Sequence, residues 1–101
     1  MRYLGELRGS GLVMCDGKAV ARASYDFDCF LQPKTGVMSS GEIRLAATIL
    51  KDVFGRRDVQ LRTDDGRLLD LRFSEKKLLS TAESAHVDVT GELPTPQEWV
   101  H

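Results

Sequence analysis

The chain has 101 residues, 42% hydrophobic and 29% charged, with a formal net charge of −1, which is the size and balance of one domain able to bury its own core. That near-neutral charge excludes a dominant basic surface for sequence-independent nucleic-acid binding and an anionic-membrane anchor, so nucleic acid is disfavoured as a partner. No apolar run reaches the ~20 residues of a membrane span, the start MRYLGELRG lacks the apolar core of a secretory signal, and two cysteines are too few for a disulfide scaffold; the chain reads as cytoplasmic, with reduced thiols.

The first strand runs through YLGELRGSGLV, with Tyr3, Leu7 and Val13 in phase and Gly5, Gly9 and Gly11 between them. Cys15, Asp16 and Gly17 then suit a three-residue hairpin loop closed by a glycine bulge. The next strand alternates without a break: Ala19, Ala21, Ala23, Tyr25, Phe27, Cys29 and Leu31 share one face. The three-residue loop pairs Val13 with Ala19, Gly11 with Ala21, Gly9 with Ala23 and Leu7 with Tyr25. A two-residue loop at the same place would set apolar positions against polar ones, and is rejected on that ground. In this register Gly9, Gly11, Ala21 and Ala23 form a nearly bare stretch of the inner face. Either the helix fills it, with Leu50, Val53 and Phe54 over the gap, or the four residues are the floor of a pocket.

The segment from Val37 to Asp58 carries one short helix. Ala46, Ile49, Leu50 and Val53 recur at helical spacing and Gly55 suits the end. SSGE at Ser39–Glu42 fits a capping box that would start the helix near Ser40, but GEI at Gly41 repeats the GEL of the strands at Gly5 and Gly91. The preferred reading is a strand through about Leu45 and a helix over 46–54.

A second hairpin follows, with Val59 and Leu61 on one arm and Leu69, Leu71 and Phe73 on the other. Its loop is Asp64, Asp65 and Gly66, so Leu61 faces Leu69 and Val59 faces Leu71. Ser74–Ala85 reads as a polar loop anchored by Leu78 and Leu79. The last strand turns Val87 and Val89 inward, and two prolines end it, leaving an extended tail over 94–101. About six antiparallel strands with one apolar face each close into a small β-barrel over 1–93, mainly β with one short α-helix. The long, glycine-bent first strand and the helix after the third also suggest an OB-like barrel.

The segments TDDGR (Thr63–Arg67), LRFS (Leu71–Ser74) and HVDVTGELP (His86–Pro94) resemble small uncharacterised bacterial β-barrel proteins of unknown function. The resemblance implies a bacterial cytoplasmic source and assigns no activity or site residue.

Candidate chemistry is sparse. Cys29 reads as a buried hydrophobe and Cys15 as exposed in its loop. Glu6, Asp26 and Asp28 share the outer face with Arg2, Arg8 and Arg22, and Glu6 is expected opposite Asp26. Arg56, Arg57, Arg62, Arg67 and Arg72 gather on the second hairpin, where Asp58 and Asp70 offset them. His86 points outward and His101 is terminal, although a serine or threonine could meet His86 in space. No nucleophile elbow, phosphate loop, dinucleotide fingerprint or zinc pair occurs. The sequence therefore predicts no catalytic residue, no metal and no cofactor.

Outward apolar residues are the best functional pointer. Leu12, Met14 and Val20 are expected together, with Leu12 opposite Val20, and Phe30 further along; Trp99 lies in the tail. Either the helix, a loop or the tail covers them, or they form a partner surface. The expected function is a non-enzymatic binding or assembly module, self-associating as a homodimer or bound to another protein. The alternative is an OB-like barrel that holds a small ligand or single-stranded nucleic acid in its mouth.

Overall fold

A computed structural model describes residues 2–34, 36–91 and 93–95. The elements are β1 (Arg2–Cys15), β2 (Lys18–Gln32), β3 (Gly36–Arg44), α1 (Ala47–Val53), β4 (Val59–Thr63), β5 (Leu68–Phe73) and β6 (Ser84–Gly91). The six strands close into a barrel in the order β1-β2-β3-β6-β5-β4, and every neighbouring pair is antiparallel. Two three-stranded meanders are thus joined edge to edge. The β3–β4 connection crosses one end of the barrel and carries α1. A five-strand closure, as in the OB fold, is not what forms.

The helix is the shorter of the two alternatives, and β3 runs through the capping-box sequence. Ala46 enters the helix without a side-chain cap, so its stability comes from burial. Leu50 and Val53 sink into the core, where they join Ala23, Tyr25, Phe27, Ile43, Leu61, Leu69, Val87 and others in one cluster. Phe54, just past the helix, meets the Phe73 ring at 5.1 Å between centroids.

The second hairpin forms as its sequence predicts. Leu61 pairs with Leu69, and Thr63 N–H donates to the Arg67 carbonyl at 2.8 Å across Asp64, Asp65 and Gly66. The first hairpin does not. Cys15 pairs with Lys18, which leaves a two-residue turn of Asp16 (φ 52°) and Gly17 (φ 78°). Both turn residues must occupy the left-handed region, which Asp-Gly accepts at low cost. A bulge then absorbs one residue: Met14 pairs with Ala19 but Val13 with Ala21, so Val20 has no place in the ladder. The bulge restores the match of apolar faces that an uninterrupted two-residue hairpin would destroy. Its cost to the expected pattern is local. Ala19 is exposed, while Ala23, Tyr25, Phe27 and Cys29 are buried as the alternation predicts.

The corrected register changes the bare stretch. Ala21 faces Val13, Ala23 faces Gly11 and Gly9 faces Tyr25. A methyl on Gly9 would meet the Tyr25 hydroxyl at 2.9 Å, and one on Gly11 would collide with the Arg62 carbonyl of β4. Ala23 is in the core and Ala21 packs against it. Gly11 and Ala23 are therefore buried under β4 backbone and the shared core and Ala21 is half-buried beside them, while Gly9 stays exposed next to the Tyr25 hydroxyl. Of the two leucines expected to anchor the 74–83 loop, Leu78 packs on the core, whereas Leu79 is 78% exposed.

At Gly11 and Gly41 the backbone of a neighbouring strand takes the space of a side chain. At Gly41 the backbone of β2, at the Asp26 carbonyl and Phe27 Cα, occupies the space a side chain would need. Gly11→Ala and Gly41→Ala should each lower stability by about 1–3 kcal/mol, the usual range for forced overpacking. Chemical denaturation would check this, and an unchanged midpoint for either variant would show that the backbones are not so close.

Candidate functional site

The barrel does not use all of its longest strands. β1 pairs with β2 over its whole length, but with β4 only from Gly11 to Cys15. β3 pairs with β6 only from Ser39 to Arg44. The first part of β1, the second half of β2 and the start of β3 therefore run past the closed barrel as a three-stranded ribbon. Among the described residues, no strand pairs with the other side of β1 over 2–9.

An apolar row crosses the outer face of this ribbon. Tyr3 stands opposite Phe30, and Phe30 opposite Met38. Tyr3 is 52% exposed and Met38 45% exposed. The Tyr3 and Phe30 rings meet edge to face at 5.3 Å, a favoured aromatic geometry, and the Tyr3 hydroxyl donates to Asp28 at 3.1 Å. Phe30 was legible from its outward parity. Tyr3 was not, because a second bulge intervenes: Tyr3 pairs with Phe30 but Gly5 with Cys29, so Leu4 is extra and Tyr3 turns outward. Met38 lies in a stretch without clear alternation, and no local pattern marked it.

The other expected interface residues are dispersed by the first bulge. Leu12 is half-buried and stands between Arg22 and Arg62 rather than opposite Val20. Met14 alternates with the core residues Val13 and Cys15 and is itself outside the core cluster, so it keeps its outward place but is covered there, buried rather than open. Val20 is 41% exposed at the bulge itself. Trp99 and the rest of the tail from 96 lie outside the described residues.

Charged groups on the ribbon pair among themselves. Glu6 faces Asp28, not Asp26; Arg8 faces Asp26. The Arg8 guanidinium reaches Asp26 at 3.1 Å and Glu6 at 3.3 Å, and Asp26 raises its pKa by hydrogen bonding and charge. These contacts are open to water and weaken with salt. On the second hairpin, Arg56 holds Asp58 through two bonds of 2.8 and 2.5 Å, and that hydrogen bonding pulls the Asp58 carboxyl below its usual range. Arg22 reaches Asp64 at 2.7 Å, Gln60 donates to Asp70 at 2.8 Å, and Arg72 faces Asp88. Among the described residues, no group of three or more His, Cys, Asp or Glu side chains could hold a metal ion.

His86 does meet a serine. Ser74 Oγ lies 2.5 Å from His86 Nδ1 and 3.2 Å from the His86 carbonyl. Ser74 N–H also donates to that carbonyl at 3.2 Å, one step beyond the Phe73–Val87 pair. The contact is thus the last rung of the β5–β6 ladder, exposed to water.

Comparison with known protein families, curated proteins and solved structures finds no match. No helix among the described residues is long and apolar enough to cross a membrane.

Cys15 is buried rather than exposed, because the shorter turn draws it into the ladder beside Val59. Cys29 is buried, 3.3 Å from the Ser39 hydroxyl. Burial pushes both thiols above their ordinary pKa, and only the thiolate is the reactive form. Both should therefore label slowly with a thiol reagent at pH 8 and rapidly in denaturant. Prompt labelling of Cys15 in the native protein would contradict its placement.

Proposed function

We propose that this chain is a non-enzymatic binding and assembly module that associates with copies of itself. The observation that carries the reading is the Tyr3–Phe30–Met38 row, with Tyr3 and Met38 exposed and Phe30 half-buried, on a ribbon that extends past the closed barrel. Apolar surface left in contact with water is a cost in a lone domain and an asset at an interface. Two buried thiols without a disulfide agree with a reducing, cytoplasmic setting. The alternative of a ligand or single strand held in the barrel mouth has less support. At the end crossed by α1, buried Leu50 and Val53 fill the interior, and the Arg22 and Arg56 charges are already paired with Asp64 and Asp58.

Sedimentation across a concentration series tests the reading. Reversible dimers or larger assemblies are expected in the micromolar range, and Tyr3→Ser should raise the Kd several-fold while leaving the far-UV spectrum and the melting temperature nearly unchanged. A chain that stays monomeric at high micromolar concentration would refute self-association. A mobility shift of single-stranded DNA at low salt would favour the mouth-binding alternative instead.

A further inference from the structure

We infer that two copies pair through β1, antiparallel about a two-fold axis at Leu7, so that the ribbons of both become one sheet. The inference rests on the self-association reading and names its contact. The residues concerned are Gly5, Glu6, Leu7, Arg8 and Gly9. Reversed, this sequence complements itself: Glu6 of one copy meets Arg8 of the other, Leu7 meets Leu7, and each Gly5 meets a Gly9.

The backbone phase agrees with that pairing. Ser10 turns its carbonyl toward β4, accepting from Asp64 N–H at 2.9 Å. Pairing with β2 is regular from Gly5 to Ser10, so polar backbone groups alternate sides, and those of Arg8 and Glu6 point the same way as those of Ser10. Below Ser10, that side of β1 has no strand against it among the described residues. In the symmetric pair Glu6 and Arg8 are therefore opposed as hydrogen-bonded partners, and the two Leu7 residues form the close, non-hydrogen-bonded pair at the axis. The glycines at both ends carry no side chain to obstruct the second copy.

Charges commonly guard an open edge against pairing. Here the guard is one acid and one base placed symmetrically about Leu7. A second copy in antiparallel orientation supplies each with an opposite charge directly across the new ladder, whereas an uncharged edge adds no partner to the contacts within the chain. Both side chains are exposed and free to exchange the Glu6–Arg8 contact within a chain for one between chains.

The test is a charge-reversal cycle read by sedimentation, with folding followed by circular dichroism. Arg8→Glu and Glu6→Arg should each weaken association at least about ten-fold, since each turns two attractive cross-strand pairs into repulsive ones. The double variant should recover most of the loss. An equimolar mixture of the two single variants should form a heterodimer tighter than either homodimer. Leu7→Cys is a second, charge-independent variant. The axis brings its two Cα atoms to about 4.5 Å, within disulfide range, so mild oxidation should give a covalent dimer that Ser24→Cys does not. Single variants that fold and associate like the parent would overturn the pairing, and so would failure of the mixture to recover or of Leu7→Cys to cross-link. If the parent dimerises and these outcomes fail, only the β1 pairing falls. If the parent is monomeric at high micromolar concentration, the assembly reading falls with it.

Discussion

Closure of this barrel depends on one backbone-to-backbone approach, that of β1 to β4 at Gly11. The Arg62 carbonyl stands where a β-carbon would be, so β1 can coil sharply enough there to meet a strand far away in sequence. From Gly11 onward β1 has partners on both sides. Over residues 2–9 it is paired with β2 alone among the described residues. Gly41 serves the matching purpose where β3 lies against β2. These close approaches lie in the closed part of the barrel, and β1 and β3 each continue beyond it into the ribbon. The candidate surface follows from this geometry, because among the described residues the ribbon has no strand on the outer edge of β1 over 2–9 and keeps Tyr3 and Met38 partly open to water.

How much of this was legible in the sequence depends on whether a residue's neighbours constrain it uniquely. The second hairpin was readable because Leu61, Leu69 and Gly66 are compatible with a single loop length, and the observed pairing is that one. The inward face of β2 from Ala21 to Cys29 was readable for a similar reason: a period of two survives any register that keeps the apolar faces matched. The first hairpin's register was not readable. A three-residue loop, and a two-residue loop followed by a bulge at Val20, give the same inward set beyond the bulge. Periodicity cannot tell them apart, and Asp-Gly favours the shorter turn. The two registers differ by two residues at every pair from Val13 to Gly5, so Glu6 faces Asp28 rather than Asp26 and Gly11 faces Ala23 rather than Ala21.

The same two bulges decide what the candidate site contains. Val20 and Leu4 each shift the phase of their strand. The first separates Leu12 from Val20. The second turns Tyr3 outward beside Phe30 and so builds the row that parity alone would have denied. Bulges carry little sequence signature, since the extra residue can be almost any type. Phe30 was found because it stands in the unbroken part of the β2 alternation. Of Arg2, Arg8 and Arg22 on the face of the acidic group, Arg8 offsets it through Asp26 and Glu6, whereas Arg22 reaches Asp64 of the second hairpin.

Among the described residues, β1 changes near Gly11 from a strand enclosed on both sides to one with an open edge. Residue-resolved amide hydrogen exchange on dilute, monomeric protein tests it most directly. The account predicts alternation along β1: amides of Leu7 and Gly9, directed at β2, and of Leu12 and Met14, directed at β4, are protected, while those of Glu6 and Arg8 exchange at near-unprotected rates. Strong protection of Glu6 and Arg8 in the monomer would mean that another part of the chain covers the edge, and would contradict the account.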